Sequence, residues 1–568
     1  MSNIRYALSF GLKRGRRLRK LQILVILTML FAAALNAIFV LYLKAFIDSI
    51  AEIQGFQLSL LYAFLIMAAL NMGMVASWFL IDCTLGILKK KAQTRLLIEM
   101  YHRLVECPQR ELDRNTPGEY MSKILSDTAF VGSIIGAFIP ALAMNIIQFL
   151  ANILTAGLLN PFLTFIICLA TPFYYILYSR QAESMISSAA EERKSFSRLT
   201  ESLRVKVEAI RNIKNLNIGK NVLNLFENDS ESWYEKIRRV VLTEKKYAFS
   251  FNFLRNVIPL AVLGIGVYLA TVGSISIGTI VAFFYFSLTF FNPLTVLSTD
   301  LGSLAQAVSP IQRVQSILSL PQESSGEKIL DTISEISFRN VSFSYDHKLA
   351  LDQVTLPIRK GEKIAVVGES GSGKTTLFSM MNRLYDPSEG EIFIDGEQAQ
   401  KFTIESLRKK IITVTSRDII FLATIRENVT LGDNYSKEDV AWAASMANIT
   451  EDFGSLEEII GPGARDVSDG QRQRICLART ILRRPHVLLM DEVLSAVDSR
   501  LEEKIMANLL REFSEKTIIV ISHRLSTILS MDRILVMKNG NIIAEGSFEG
   551  LNRSCTEFTS LMKKQIVK

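Results

Sequence analysis

Cysteine is scarce in this sequence and nowhere paired. Cys83, Cys107, Cys168, Cys476 and Cys555 are five in 568 residues, with no CxxC among them. The scatter argues against a disulfide framework or a zinc site and predicts free thiols. Nor is a cleavable signal peptide expected, because the first apolar run, 21–43, is too long for a signal h-region and has no clear small-residue cleavage site, so it is read as the first span. Charge is missing from four stretches: 21–43, 59–80, between Asp127 and Arg180, and between Arg255 and Asp300. Each is long enough to cross roughly 30 Å of hydrocarbon as a helix, which excludes a wholly soluble chain.

What is present fits a membrane part joined to a soluble one. The length exceeds what one compact core fills and points to two or three domains, and 49% of the residues are hydrophobic. A net charge of +8 raises the question of nucleic acid, but Arg5, Lys13, Arg14, Arg16, Arg17, Arg19 and Lys20 all stand directly ahead of the first apolar run. Basic residues beside a span read as a positive-inside anchor, so the N-terminus is expected in the cytoplasm and no nucleic-acid partner is expected.

The two longer intervals each accommodate two spans, with turns at Asn160-Pro161 and from Gly273 to Gly278. Six spans follow, at about 21–43, 59–81, 131–158, 161–179, 249–272 and 278–299, with both ends inside. The connection 44–57, carrying Asp48 and Glu52, is expected outside. Segments 84–128 and 181–245 are charged, helical in pattern and too long for turns, so they are read as membrane helices continuing into the cytosol. Coupling elements are expected at their bends, near 112–122 (with Pro117-Gly118) and near 208–215. After about Ile317 the texture changes to a linker and then to short β-rich runs, 336–343, 363–367 and 392–394, alternating with helical stretches. The expected fold is a membrane all-α six-helix domain with long cytosolic helical extensions (1–316), a linker (317–335) and a C-terminal α/β domain (336–568).

The strongest motif is Gly368-Glu369-Ser370-Gly371-Ser372-Gly373-Lys374-Thr375-Thr376, a GxxxxGK[ST] loop between a strand and a helix. Its glycines let backbone N–H groups close around phosphate oxygens, and the helix N-terminus adds positive potential. Lys374 would reach β/γ-phosphates and the Thr375 hydroxyl would bind Mg²⁺. Further on, the apolar strand Val487–Asp491 ends in two acids, Asp491 and Glu492. Buried carboxylates are costly unless paired or metal-bound, so Asp491 reads as the Mg²⁺ partner and Glu492 as the base that orients a water. His523, after the strand Thr517–Ile521, reads as a γ-phosphate sensor.

Together with Val467-Ser468-Asp469-Gly470-Gln471-Arg472-Gln473-Arg474, the order and spacing of these pieces resembles an ATP-binding cassette (ABC) transporter of the exporter-type half-transporter kind. The resemblance covers nearly the whole chain. It implies ATP and Mg²⁺ as cofactors and ATPase-driven transport. It also implies a second half-transporter, identical or related, whose nucleotide would be touched by Ser468, Gly470 and Gln471 of this chain. Tyr345 would stack on adenine, and Ser495 to Asp498 would link the two sites. The implied location is the cell membrane, multi-pass, with the cassette in the cytoplasm.

Three positions depart from the family pattern. The family's usual glutamine falls on Ser416, which reaches metal only through water or a backbone shift. Asp469 stands where glycine is usual, and Gly461-Pro462-Gly463-Ala464 replaces a Gly-Glu-Arg-Gly run. Export of an amphipathic peptide, drug or lipid is the leading expectation, with metal-chelate import and an ATP-gated channel or signalling module as alternatives. No peptidase domain precedes the first span, so leader cleavage is not expected.

Overall fold

A computed structural model describes residues 2–52, 58–297, 307–346, 348–416, 418–461 and 464–566. The chain forms two compact units. One comprises Met1–Val105 and Asn115–Leu320, the other Glu106–Arg114 and Pro321–Lys568. Residues 317–335 are thus divided between the two units.

The first unit is helical. Among the described residues six helices are long and apolar enough to span a membrane: Arg19–Ile50, Leu61–Val105, Pro117–Leu159, Pro161–Gln181, Gly219–Thr271 and Ile277–Leu297. Only 17–50% of each apolar window is buried inside the unit, so the remaining apolar faces require lipid or another protein surface. The chain is therefore a multi-pass membrane protein. The last expected span, 278–299, extends beyond the described residues.

Local chemistry sets the turns. Asn160 is extended, and its side chain accepts the Leu163 N–H at 3.0 Å to start the helix at Pro161. The expected outer connection 44–57 is shorter than read, because helix Arg19–Glu52 continues through Asp48; residues 53–57 lie outside the described set. Asp48 is accommodated there because its carboxylate accepts from Ser276 Oγ and from the Gly278 N–H, both at 2.8 Å. A Cβ on Gly278 would lie 2.3 Å from the Lys44 carbonyl oxygen. The third span carries two π-helical turns, Lys123–Asp127 and Ile134–Phe138, and there a Cβ on Gly136 would sit 2.6 Å from Leu88 O. Small residues at such crossings let backbones approach closely.

The bend expected near 112–122 lies earlier. The chain breaks at Cys107–Pro108, forms the short helix Gln109–Leu112, and resumes at Pro117. Proline favours the first helical turn, where its missing N–H costs nothing, and Thr116 caps it; Pro117 therefore starts a helix rather than ending one. The second bend holds the helix Ile210–Asn215, within the expected 208–215.

Among its described residues the second unit carries two main sheets, besides a short antiparallel pairing of Ala423–Thr424 with Ile459–Ile460. One is antiparallel, in the order Lys348–Arg359, Glu335–Tyr345, Glu389–Ile394, Glu397–Gln398. The other has six strands in the order Asn541–Gly546, Arg533–Lys538, Lys363–Gly368, Thr517–Ile521, Val487–Asp491, Ile411–Thr415, parallel except at its first edge. Side chains of a strand alternate between faces, so Ala365 and Val367 enter one core while Ile364 and Val366 enter the other. Burial on both faces explains why these strands read as unbroken apolar runs. The segment Glu106–Arg114 belongs to this unit: Tyr385 donates its hydroxyl to Asp113, and the Glu323 N–H bonds the Glu106 carbonyl at 2.8 Å.

Candidate nucleotide site

Strand Lys363–Gly368 lies inside the parallel sheet, flanked by Arg533–Lys538 and Thr517–Ile521. The carboxyl ends of such strands form a natural crevice for a ligand. The following loop feeds helix Lys374–Met381. Glycine is required along it: Gly371 and Gly373 have φ of 82° and 104°, which only glycine adopts without strain. A Cβ on Gly368 would meet the Met537 carbonyl oxygen at 2.3 Å, and one on Gly373 would meet that of Ala350 at 2.5 Å.

This loop walls a cleft of about 550 Å³ that gathers Tyr345, Ser370, Gly371, Gly373, Lys374, Thr375, Thr376, Ser416, Asp491, Glu492 and His523. The volume falls in the range of small-molecule sites. Thr375 Oγ1 donates to Asp491 Oδ2 at 2.8 Å, and the Ser416 N–H donates to the Asp491 carbonyl at 3.2 Å. Glu492 is held at a left-handed φ of 51°, its N–H bonded to Ile521 O at 3.1 Å, and its Oε1 lies 3.0 Å from His523 Nε2. Lys374 is buried, and its ammonium donates to the carbonyls of Gly368 and Glu369, both at 2.9 Å. Burial lowers its pKa, against the opposing pull of the Glu492 and Asp491 carboxylates.

The residues fit a magnesium-bound triphosphate. The loop is a cradle that side chains would fill, and the buried Ser372 Oγ within it has no hydrogen-bond partner. Among the described residues no group of three or more His, Cys, Asp or Glu is arranged for a metal. The Thr375 hydroxyl with Asp491 is instead the kind of sparse oxygen set that Mg²⁺ shares with phosphates. Tyr345 presents its ring at the cleft, edge-on to Phe343 at 4.9 Å and to Tyr385 at 5.4 Å. The sequence reading missed Lys348, Leu349, Ala350 and Thr415, which also wall the cleft. The first three follow Tyr345 across the turn of the same hairpin, where Lys348 pairs with Tyr345, a signal that was available.

Ser468, Gly470 and Gln471 are not among the cleft walls. They open helix Asp469–Leu482, where Ser468 Oγ accepts the Gln471 N–H at 3.2 Å and Gln471 Oε1 accepts the Ser468 N–H at 3.1 Å. A Cβ on Gly470 would lie 2.8 Å from Ala496 O. Asp469 is exposed and pairs with Arg472 at 3.1 Å. In the Gly461 to Ala464 run, Pro462 and Gly463 lie outside the described residues.

Comparison with known proteins agrees with this layout. Residues 22–294 match the ABC transporter transmembrane region and residues 351–495 the ABC transporter family model. An uncharacterised ABC transporter ATP-binding protein, YfiC of Bacillus subtilis (strain 168), is 30% identical over 490 residues, covering 84% of this chain and 80% of that one. An ATP-dependent lipid A-core flippase of Syntrophus aciditrophicus (strain SB) is 29% identical over 484 residues, covering 83% and 80%. A toxin RTX-I translocation ATP-binding protein of Actinobacillus pleuropneumoniae is 33% identical over 409 residues, 69% of this chain and 57% of that protein. The fold matches that of a bacterial Atm1-family ABC exporter with ATP bound, with a TM-score of 0.82 at 23% identity over 97% of this chain and 99% of that chain. With its membrane region and one ATP-hydrolysing cassette on a single polypeptide, the chain belongs to the ABC transporters.

Proposed function

We propose that the chain is one half of a dimeric exporter that uses ATP hydrolysis to move an amphipathic peptide, drug or lipid out of the cytoplasm. The N-terminus and cassette face the cytoplasm in this reading. Lys374 and the loop amides hold the phosphates, Thr375 and Asp491 hold Mg²⁺ with Ser416 beside them, and Tyr345 stacks on adenine. Glu492 takes the proton of the attacking water, and His523 holds Glu492 and the γ-phosphate in register. The observation that carries the dimer is the exclusion of Ser468, Gly470 and Gln471 from the walls of their own cleft: they would complete the site of a second chain.

Several features support an amphipathic cargo. Polar groups within the spans are used between and along helices: Gln148 donates to Asn152, Asn152 to the Phe290 carbonyl and Asn145 to that of Ala141. Aromatic surface is left over, with Phe249 and Phe253 exposed and stacked at 6.4 Å. The names of two relatives, a lipid A-core flippase and a toxin translocation protein, fit such cargo. In proteoliposomes with cassettes outward, external ATP should drive a fluorescent lipid or hydrophobic peptide into the lumen. ATP-driven efflux from the lumen would mean import, and flux that only follows its gradient would mean a channel.

A second reading concerns which partner completes the site. Two unit charges roughly 6 Å apart interact by on the order of 3 kcal/mol at an effective dielectric of 20, so an Asp469 carboxylate near a partner's γ-phosphate would weaken that site. Pairing with Arg472 draws the carboxylate aside and reduces the penalty. Asp469→Gly should raise turnover at limiting ATP by about threefold at low salt, the gain shrinking as salt screens the repulsion. An unchanged rate at every ionic strength would remove Asp469 from the nucleotide's reach.

A further inference from the structure

Loop 492–498, between strand Val487–Asp491 and helix Ser499–Glu512, turns through the Ser495 N–H to the Glu492 carbonyl at 3.2 Å and the Val497 N–H to that of Leu494 at 3.1 Å, and side chains grip it from two sides. Arg524, immediately after His523, donates Nη2 to the carbonyls of Ser495 at 2.9 Å and Val497 at 2.7 Å. Its Nη1 pairs with Glu502, one turn into helix Ser499–Glu512. Glu502 is 3% exposed and also accepts from Thr527 Oγ1 at 2.5 Å. From the opposite side Gln473, itself buried, donates to Ser495 Oγ at 3.1 Å and accepts the Ala496 N–H at 3.0 Å. A cavity of about 150 Å³ lies behind the pair Glu492 and His523, with Ser495, Glu502, Arg524 and Thr527 in its walls.

A buried carboxylate is costly unless fully partnered, and hydrophobic residues of similar volume would fill this position more cheaply. The carboxylate has a geometric use. A guanidinium presents donors in a fixed fork, so anchoring one arm on Glu502 aims the other at the Ser495 and Val497 carbonyls. That fixes the loop carrying Glu492, whose left-handed backbone persists only where surroundings over-determine it. We infer that Glu502 is a positioning residue for hydrolysis: it acts through Arg524 to hold the Glu492–His523 pair in register. Gln473, on the helix opened by Ser468, ties the same loop to the segment proposed to touch the partner's nucleotide.

This inference rests on the proposed roles of Glu492 and His523, and the test separates the two. In the full-length transporter in nanodiscs, Glu502→Gln should lower kcat by about ten- to a hundredfold, as displaced catalytic groups do. KM for ATP should stay within about twofold, because no ground-state contact is lost. In a His523→Ala background the same substitution should cost less than about twofold more, since coupled residues are not additive. A wild-type kcat for Glu502→Gln, or a full loss that persists in the His523→Ala background, would overturn the positioning role. If His523→Ala or Glu492→Gln alone keeps wild-type turnover, the parent reading falls instead. Should Glu502→Gln fail to fold, Arg524→Lys carries the same cycle: a lysine keeps the charge facing Glu502 but has no second arm for the loop carbonyls.

Discussion

Glu492→Gln should lower ATP turnover by about two to four orders of magnitude, the range expected for loss of a general base, while ATP still binds. The amide has nearly the shape of the carboxylate, and its oxygen still offers His523 Nε2 an acceptor at the 3.0 Å position. It cannot take a proton from an attacking water. Binding and chemistry therefore separate: ATP affinity stays near wild type while single-turnover hydrolysis disappears. Turnover within about threefold of wild type would mean that Glu492 is not the base and would redirect attention to the water-orienting power of His523 alone.

Lys374→Met should have the opposite signature, with ATP affinity falling by about a hundredfold or more and no loss of fold stability. Methionine keeps the apolar stem in the buried slot and deletes the charge together with its bonds to the Gly368 and Glu369 carbonyls. In the folded chain that charge is disfavoured, because burial lowers the Lys374 pKa below its unfolded value. The sign follows: an ammonium with a depressed folded pKa opposes folding in full below that pKa, and the cost fades as pH rises to the unfolded value. At neutral pH relief of this cost offsets the lost carbonyl bonds, so thermal unfolding without nucleotide should occur near the wild-type temperature. The stabilisation that ATP confers by mass action should vanish. Unaltered ATP protection of the variant against unfolding would remove Lys374 from the phosphate site.

Both proposed roles could be drawn from the sequence because their chemistry is local. A GxxxxGK[ST] loop needs only the strand before it and the helix after it, and the observed positive φ at Gly371 and Gly373 is what that spacing demands. Asp491 and Glu492 could be placed because two acids at the end of an apolar strand have few structural uses. Other features depended on register between distant elements and could not be read. Asp48 looked like part of an outer loop, yet it caps a helix 230 residues away at the Gly278 N–H. Pro117-Gly118 looked like the bend, although proline at a first helical position starts a helix, and the break moved to Pro108. Glu502 was not singled out, because nothing near it in sequence announces its pairing with Arg524. Ser468 and Gln471 were assigned to a partner's nucleotide, and within this chain they also close each other's backbone at a helix start.

The assignment of Glu106–Arg114 to the cassette unit bears on how the protein is made. Asp113 and Tyr385 are separated by 272 residues, so at roughly 5–20 residues per second the ribosome completes one partner tens of seconds before the other. During that interval the early segment has no nucleotide-binding surface to rest on, while the later spans are still being inserted. Burial and the Asp113 carboxylate push the Tyr385 phenol well above its ordinary pKa, so it keeps the proton it donates to Asp113. The contact can therefore close only after every membrane span has been synthesised, and a change at Tyr385 would leave the early segment without this partner.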